Sequence, residues 1–336
     1  MKIVFVSPYD HKGAISGARV RAEKLCAEYL VLGFSVICMS PWKPSSEVGH
    51  VSFSMEGAWL FRLFKWLQLS YHLFKQKPDI AISESPIAPL SFGRYKVVHV
   101  IHDSKFVTTY GRKGRRVAAL LHKLSVSIAD YVLTVSNTER SKICNELRIH
   151  PNKVIVSYNG ISNGWCETSD EEALTPKYDL LYVSNFAEHK GHAVFLNAIA
   201  KQNYRIALVG REFGQKRICK EIADNNSLSI DFFEDLSEKQ LIELYDLSDV
   251  FVFPSMLEGF GIPYLEARAR GLPVLASNLP IFEELREKIG GELVDFSSSE
   301  ILVSKIEVVR GAPRDIPRLS DFRWGEIAKK ILTDIS

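Results

Sequence analysis

No run of eighteen consecutive apolar residues occurs in this sequence, so no segment has the length of a membrane-spanning helix. The apolar start Met1–Val6 is too short for the core of a secretory leader and runs into Ser7-Pro8-Tyr9-Asp10. Cysteine is sparse. Cys26, Cys38, Cys144, Cys166 and Cys219 form no close pair. That spacing speaks against a disulfide framework or a zinc knuckle and predicts reduced thiols in a cytosolic compartment. There is no Asp-x-Asp, the carboxylate pair that commonly holds Mg²⁺ against a diphosphate. His99/His102 and His189/His192 are each three apart, but the first pair falls on a strand, where that spacing alternates faces. No Cys or acidic partner completes a zinc set around either pair. The expectation is that no metal and no cofactor is bound. Low-complexity tracts are also missing.

What remains is an ordinary soluble composition, 46% hydrophobic and 24% charged, in 336 residues. That length exceeds one typical core and suits two α/β domains. The net charge of +2 hides an asymmetry. Residues 1–170 hold 22 Lys and Arg against 13 Asp and Glu, and residues 171–336 hold 20 against 27. A basic first half suggests an anionic partner such as a membrane surface or a lipid phosphate. Nucleic acid is disfavoured, because no recognition module is present and the second half is acidic.

Short buried-strand runs alternate with helical stretches throughout, the pattern of parallel sheets with crossover helices. Strands are predicted at 2–7, 34–39, 79–83, 96–101, 131–136 and 153–157. Helices are predicted at 18–32, stopped by Gly33, and at 57–76 and 137–147. The polar stretch 162–178 reads as a linker. A second series has strands at 179–184, 204–209, 229–233, 250–254 and 273–276. An amphipathic helix is predicted at 322–334. The expected domains are 1–165 and 175–318, with 319–336 as a C-terminal helix.

The densest chemical signal is DVFVFPSMLEGFGIPYLEARARGLPVLAS, residues 249–277. A buried strand ends at Pro254, and a loop carries Glu258, Gly259, Phe260 and Gly261. Pro263 sits where a helix begins, a position its fixed φ favours. Glu266 falls on that helix's second turn, so Glu258 and Glu266 are placed to reach one ligand. Free N–H groups at a helix start favour a diphosphate.

This segment resembles the retaining glycosyltransferases of family four. Their hallmark is two glutamates separated by seven residues within a Glu-Gly-Phe-Gly…Pro…Leu-Glu-Ala run, and the run is complete here. The resemblance implies the GT-B fold: two Rossmann-like domains with parallel sheets facing a central cleft, and a C-terminal helix returning to the N-terminal domain. It implies that Glu258 and the amides of Gly259, Phe260 and Gly261 hold the donor sugar. It implies that Glu266 accepts from the nucleotide ribose, for which a carboxylate suits two vicinal hydroxyls.

Three further positions carry over. Lys190, before Gly191, matches a lysine that neutralises the leaving diphosphate. The arginine that accompanies it in the family is Asn185 here, which can donate a hydrogen bond but brings no charge. Arg211, after the strand ending at Val209, is a candidate to compensate. His102, delivered by the strand VHVI, matches a histidine that faces the donor sugar; otherwise a strand-end histidine reads as a core residue. In the first loop, Gly13 to Gly17, only Gly17 carries over from the family's glycine pair. Arg21, a turn into the next helix, reads either as reaching an anion or as solvated.

Residues 57–77 place Leu60, Leu63, Phe64, Leu67, Tyr71 and Phe74 on one helical face, widened by Trp59, Trp66 and Leu73. Arg62, Lys65, Lys75 and Lys77 surround it. Such a helix could lie on an anionic membrane or cover a sheet with its lysines snorkelling. The strand that follows directly favours the second reading. The cluster Arg112-Lys113-Gly114-Arg115-Arg116 reads as a loop. The family resemblance, taken with these features, implies a metal-independent transfer of a hexose from a nucleotide-sugar (GDP-mannose or UDP-hexose type) to a glycan or lipid-linked acceptor in envelope polysaccharide or glycolipid synthesis. The expected location is the cytoplasm, peripheral on the inner face of the plasma membrane. Two alternatives stand beside this: a nucleotide-sugar-binding subunit without transfer activity, and a sugar-nucleotide epimerase of the same fold.

Overall fold

The structure is a computed structural model and describes residues 1–8, 17–45, 47–56, 59–103, 112–167 and 175–336. The chain divides into two units. Unit 1 is residues 1–160 with 321–336, and unit 2 is residues 161–320.

Unit 1 contains a seven-stranded, all-parallel sheet. Its strands are β1 (Lys2–Val6), β2 (Ser35–Ser40), β3 (Gly49–Ser52), β4 (Ile80–Ser83), β5 (Lys96–Ile101), β6 (Tyr131–Thr134) and β7 (Val154–Val156). Their spatial order is β3-β2-β1-β4-β5-β6-β7. The order reverses between β1 and β4, where an open α/β sheet leaves a ligand crevice at the C-terminal strand ends. The central strands are near-continuous apolar runs because helices cover both faces. These helices are α1 (Gly17–Val31), α2 (Trp59–Gln76), α3 (Arg112–Ile128) and α4 (Asn137–Leu147).

On one face, Leu25, Cys26 and Tyr29 of α1 pack with Ile3, Phe5 and Val100. The C-terminal helix Trp324–Ile335 joins the same core through Trp324, Ile327, Ala328, Ile331 and Ile335. That spacing is the stripe of an amphipathic helix. Each large side chain so buried contributes about 1.5–3 kcal/mol, which explains why the chain end returns to unit 1. Trp324 also lies over Gly160, where a Cβ would come within 2.5 Å of the indole. On the other face, Leu69 and Leu73 of α2 pack with Val4, Val97 and Ala129.

Two features differ from the sequence expectation. The basic run 112–116 opens α3 and is not a loop, because further along the same helix Ala118, Ala119, Val126 and Ile128 pack into the cores on the sheet and hold the helix there. The short edge strand β3 was also unmarked, since the four residues Gly49–Ser52 are too few to show an alternating pattern.

Unit 2 repeats the architecture with six parallel strands. They are β8 (Tyr178–Val183), β9 (Arg205–Val209), β10 (Ser229–Phe233), β11 (Ser248–Phe253), β12 (Val274–Ser277) and β13 (Glu292–Val294), in the order β10-β9-β8-β11-β12-β13. The switch point falls between β8 and β11. The helices are α5 (His192–Ala198), α6 (Lys216–Asn226), α7 (Glu238–Asp246), α8 (Ile262–Ala269), α9 (Pro280–Ile289) and α10 (Ser299–Val309). Helix α7 starts with a capping box between Ser237 and Gln240. The first part of the stretch expected as linker packs into unit 2. Trp165 is buried, its indole N–H donates to Glu238 at 3.0 Å, and Arg270 donates to the carbonyls of Trp165 and Glu167. Among the described residues, no helix is long and apolar enough to cross a membrane.

Candidate functional site

In unit 2 the residues singled out by sequence gather at the switch point. Strand β8 hands the chain to a loop that carries Asn185 and Lys190 and ends at Gly191. Strand β11 hands it to a second loop with Glu258. The two loops touch. Gly191 has φ +72°, and a Cβ there would sit 2.2 Å from the Pro254 carbonyl oxygen, so only glycine permits this approach. The Met256 N–H donates to the His189 carbonyl at 2.8 Å, and the buried Tyr182 hydroxyl donates to the Lys190 carbonyl at 2.8 Å. With both backbones pinned, Lys190 Nζ donates to Glu258 Oε1 at 2.6 Å. Both side chains are largely buried, 17% and 12% exposed. The lysine is therefore a largely buried, paired residue and not a solvated helix-start one.

Gly261, whose φ of +100° is left-handed, stands at the N-cap of helix α8, which has no side-chain cap. A Cβ at Gly261 would meet Phe282 at 3.0 Å and Phe253 at 3.3 Å. Phe260 is buried, and Pro263 lies in the helix's first turn, as expected. Glu266 is on the second turn, separately held. The Tyr245 hydroxyl donates to its Oε2 at 3.0 Å. Burial pushes the Glu266 carboxyl up to about 7; the Tyr245 hydrogen bond opposes this and Glu238 adds to it. Tyr245 is itself fully buried, with Trp165 edge-on against its ring.

Asn185 accepts from the Arg211 N–H at 3.4 Å, which makes the two residues neighbours at the ends of β8 and β9. Gly210 allows this contact, because a Cβ there would overlap the Ser184 carbonyl. The Arg211 guanidinium turns to Asp235, with Nε 2.6 Å from Oδ1. Neither residue contacts the Lys190–Glu258 pair directly in any hydrogen bond of the described residues.

Unit 1 holds the remaining candidates. Gly17 is the first residue of α1, and Gly13 to Ser16 lie outside the described residues. His102 follows β5 directly and is 26% exposed, with Nε2 2.9 Å from Glu84 Oε1. His99, by contrast, is buried in the sheet, where burial and the neighbouring His122 and His102 push it down to about 3, keeping it neutral. The strand thus separates a core histidine from one at its C-terminal edge.

Arg21 corrects the sequence reading, since it neither reaches for an anion nor sits in solvent. It is buried, donating to the Tyr158 carbonyl at 2.8 Å, Asn159 Oδ1 at 3.1 Å and Ser157 Oγ at 2.6 Å. Burial lowers it to about 10, against the pull of Glu84. Its job is to tie α1 to the segment after β7. Sequence reasoning also passed over Glu84 and Tyr245. Glu84 had a signal: a lone carboxylate directly after a short apolar strand, at a ligand edge.

Among the described residues no group of three or more His, Cys, Asp or Glu is placed to hold a metal ion.

Two family models match the chain. "Glycosyltransferase Family 4" covers residues 15–163 and "Glycosyl transferases group 1" covers residues 167–310. The chain belongs to glycosyltransferase family 4. The O-antigen chain mannosyltransferase RfbU of Salmonella typhimurium is 27% identical over 210 residues, 60% of this chain and 57% of that protein. The chain thus spans less than two thirds of the length of that curated relative. Two solved structures share the fold over nearly the whole chain. A glycosyltransferase from Rickettsia africae has a TM-score of 0.74 at 19% identity, covering 99% of this chain and 97% of its own. The Anabaena protein HepE, solved with UDP and glucose, has a TM-score of 0.76 at 18% identity, covering 99% and 98%. The GT-B class expected from the sequence is the fold observed.

Proposed function

We propose that the protein is a retaining, metal-independent hexosyltransferase that uses a nucleoside-diphosphate sugar. The observation that carries this is the Lys190–Glu258 pair, 2.6 Å apart beside the uncapped start of α8. A lysine brings a point charge with three donors, so Lys190 can keep one bond to Glu258 and offer the others to a leaving diphosphate. The α8 start adds the positive end of a helix dipole. Glu258 and the Gly259–Gly261 backbone fix the sugar hydroxyls, and Glu266 takes the ribose. His102 is proposed to bond a sugar hydroxyl of the substrates.

The C–O bond between the anomeric carbon and the diphosphate breaks, its electron pair leaving with the phosphate oxygen. The acceptor hydroxyl attacks on the same face and passes its proton to the departing phosphate. No side-chain nucleophile is required. The protein supplies position and electrostatics, and charge compensation from Lys190 and α8 takes the place of a metal.

The family and the O-antigen relative's name support a glycan or lipid-linked acceptor in envelope polysaccharide synthesis. The donor is proposed as GDP-mannose or a UDP-hexose: the relative is named a mannosyltransferase, and HepE was solved with UDP and glucose. Incubation with each donor and release of nucleotide in chelator tests the reading. Full activity in both Glu258→Gln and Lys190→Ala rejects the site.

Asn185 favours one second reading, a subunit that binds nucleotide-sugar without transferring. With Asn185 uncharged and Arg211 engaged by Asp235, the diphosphate finds one cation fewer. Tight donor binding with no turnover on any acceptor is the result that selects it.

An anionic membrane surface is the proposed partner of unit 1, which places the protein on the cytoplasmic face of the plasma membrane. Helix α2 divides its apolar residues. Leu69 and Leu73 are buried, whereas Phe61, Phe64, Leu67 and Tyr71 are each more than half exposed. On α3, Val117, Leu120 and Leu124 are exposed at helical spacing. Both helices pack on the segment 86–90: Trp66 donates to the Ala88 carbonyl and Ser125 accepts from the Ala88 N–H. Neither helix contains an Asp or Glu, and together they contain eight Lys and Arg. Exposed aromatics in an acid-free basic setting suit an anionic lipid surface. Flotation with anionic but not neutral vesicles, lost in Phe61→Ser/Phe64→Ser, is the expected result; equal flotation with both vesicle types rejects it.

A further inference from the structure

The crevice edge of unit 1 holds a buried carboxylate with no assigned task. Glu84 follows β4 at the switch point, and its backbone N–H donates to the Val6 carbonyl at 2.9 Å. Its side chain is only 5% exposed. Burying a carboxylate is costly unless it is hydrogen-bonded and compensated. Arg21 is a buried cation that feels its charge, yet every Arg21 hydrogen bond in the described structure goes to Ser157, Tyr158 or Asn159. The side-chain partner that Glu84 does meet is His102, 2.9 Å away. Because β4 and β5 are adjacent and in parallel register, with Ser83 opposite His99, the two residues that leave the strand ends converge.

We infer that Glu84 is a positioning residue: it accepts from His102 Nε2–H, fixes the ring tautomer and orientation, and leaves Nδ1 as a hydrogen-bond acceptor for a sugar hydroxyl. A carboxylate can only accept, so the ring nitrogen facing it carries the proton. In a neutral imidazole the other nitrogen then holds a lone pair. Such a nitrogen takes a hydroxyl proton and offers nothing to a phosphate oxygen, which also has only lone pairs. His102 therefore selects a hydroxyl-bearing ligand over a phosphate. The inference rests on His102 contacting substrate, and the experiment separates the two claims.

The ¹⁵N spectrum of histidine-labelled protein at alkaline pH, with the His102 signal assigned by His102→Ala, reads the tautomer directly and needs no turnover. A protonated Nε2 with an unprotonated Nδ1 is expected; a proton on Nδ1 overturns the inference. In Glu84→Gln the amide can donate as well as accept, so the ring becomes a tautomer mixture. Transfer kcat is then expected to fall about tenfold or more, as when the carboxylate orienting a catalytic imidazole is made an amide, with donor KM unchanged. Glu84→Asp is expected to restore part of the rate. In a His102→Ala background, Glu84→Gln is expected to add no further loss. An equal additional loss there assigns Glu84 a structural role only and overturns the inference. A Glu84→Gln enzyme with wild-type tautomer and kcat overturns it as well.

Discussion

Glu266 is buried where its ionised form costs the folded protein, and on the proposed reading replacing it should stabilise the chain while weakening nucleotide binding. Burial raises its carboxyl from an ordinary 4.5 to about 7. A carboxyl whose folded value lies above its unfolded one costs stability once it is forced to ionise. The cost is absent below about 4.5, grows as the pH rises to about 7, and is level above that. A shift of this size corresponds to about 3 kcal/mol at the plateau. Glu266→Gln removes the charge and keeps an oxygen to accept from Tyr245. At alkaline pH the variant should therefore melt several degrees higher than the wild type, since each kcal/mol is worth about 2–4 °C in a domain of this size. The gap should close as the pH falls towards 4.5. Nucleotide affinity moves oppositely. Ribose hydroxyls need the ionised carboxylate as acceptor, so wild-type affinity should fall about tenfold from one pH unit above the midpoint to one unit below, and the variant should bind weakly throughout. Differential scanning fluorimetry and calorimetry across this range test both arms. A Glu266→Gln protein that melts lower at alkaline pH, or a wild-type affinity flat across pH 7, refutes the reasoning.

Other perturbations follow from the same geometry. Lys190→Ala should leave the Glu258 carboxylate buried without its cation, costing a few kcal/mol of stability and at least tenfold in donor affinity; Lys190→Ala/Glu258→Gln should recover part of the melting temperature but none of the activity. Gly191→Ala forces a Cβ into the Pro254 carbonyl at a left-handed φ, so it should destabilise by about 1–3 kcal/mol or more and reduce kcat/KM by moving Lys190. Arg21→Ala strips three hydrogen bonds from a buried site and should lower the melting temperature while nucleotide binding by unit 2 survives; loss of nucleotide binding in folded protein counts against Arg21 as a tie within unit 1.

Much of the fold could be read directly, because buried parallel strands are written as apolar runs that need no partner to be recognised. Lys96–Ile101 and Tyr131–Thr134 are examples. Elements that depend on tertiary contact were harder. Gly49–Ser52 and Glu292–Val294 are short edge strands defined by their pairing, and Arg112–Ile128 hides its helical face behind a cluster of charges. Helix α2 shows why two readings of one pattern could not be separated. Its apolar residues are numerous enough for Leu69, Leu73 and Trp66 to cover the sheet and for Phe61, Phe64, Leu67 and Tyr71 to leave a stripe outside. Within the site, Lys190 and Glu258 carried motif signals, and the structure joins them. Tyr245 could not be found from sequence, because it meets Glu266 only when α7 and α8 fold together. Arg21 was misread because burial of an arginine depends on acceptors supplied from residues 157–159, far along the chain: a hydroxyl, a backbone carbonyl and a side-chain amide oxygen. Nothing local in the sequence announces them.

The most direct test of the central claim is a donor screen under chelator. Protein is incubated with UDP-, GDP-, ADP- and dTDP-sugars, and thermal stabilisation and nucleotide release are followed with Glu258→Gln alongside. The account predicts that one donor stabilises the protein selectively and is slowly hydrolysed, and that the variant loses this turnover. A protein that binds none of these donors, or a Glu258→Gln variant with wild-type turnover, contradicts it.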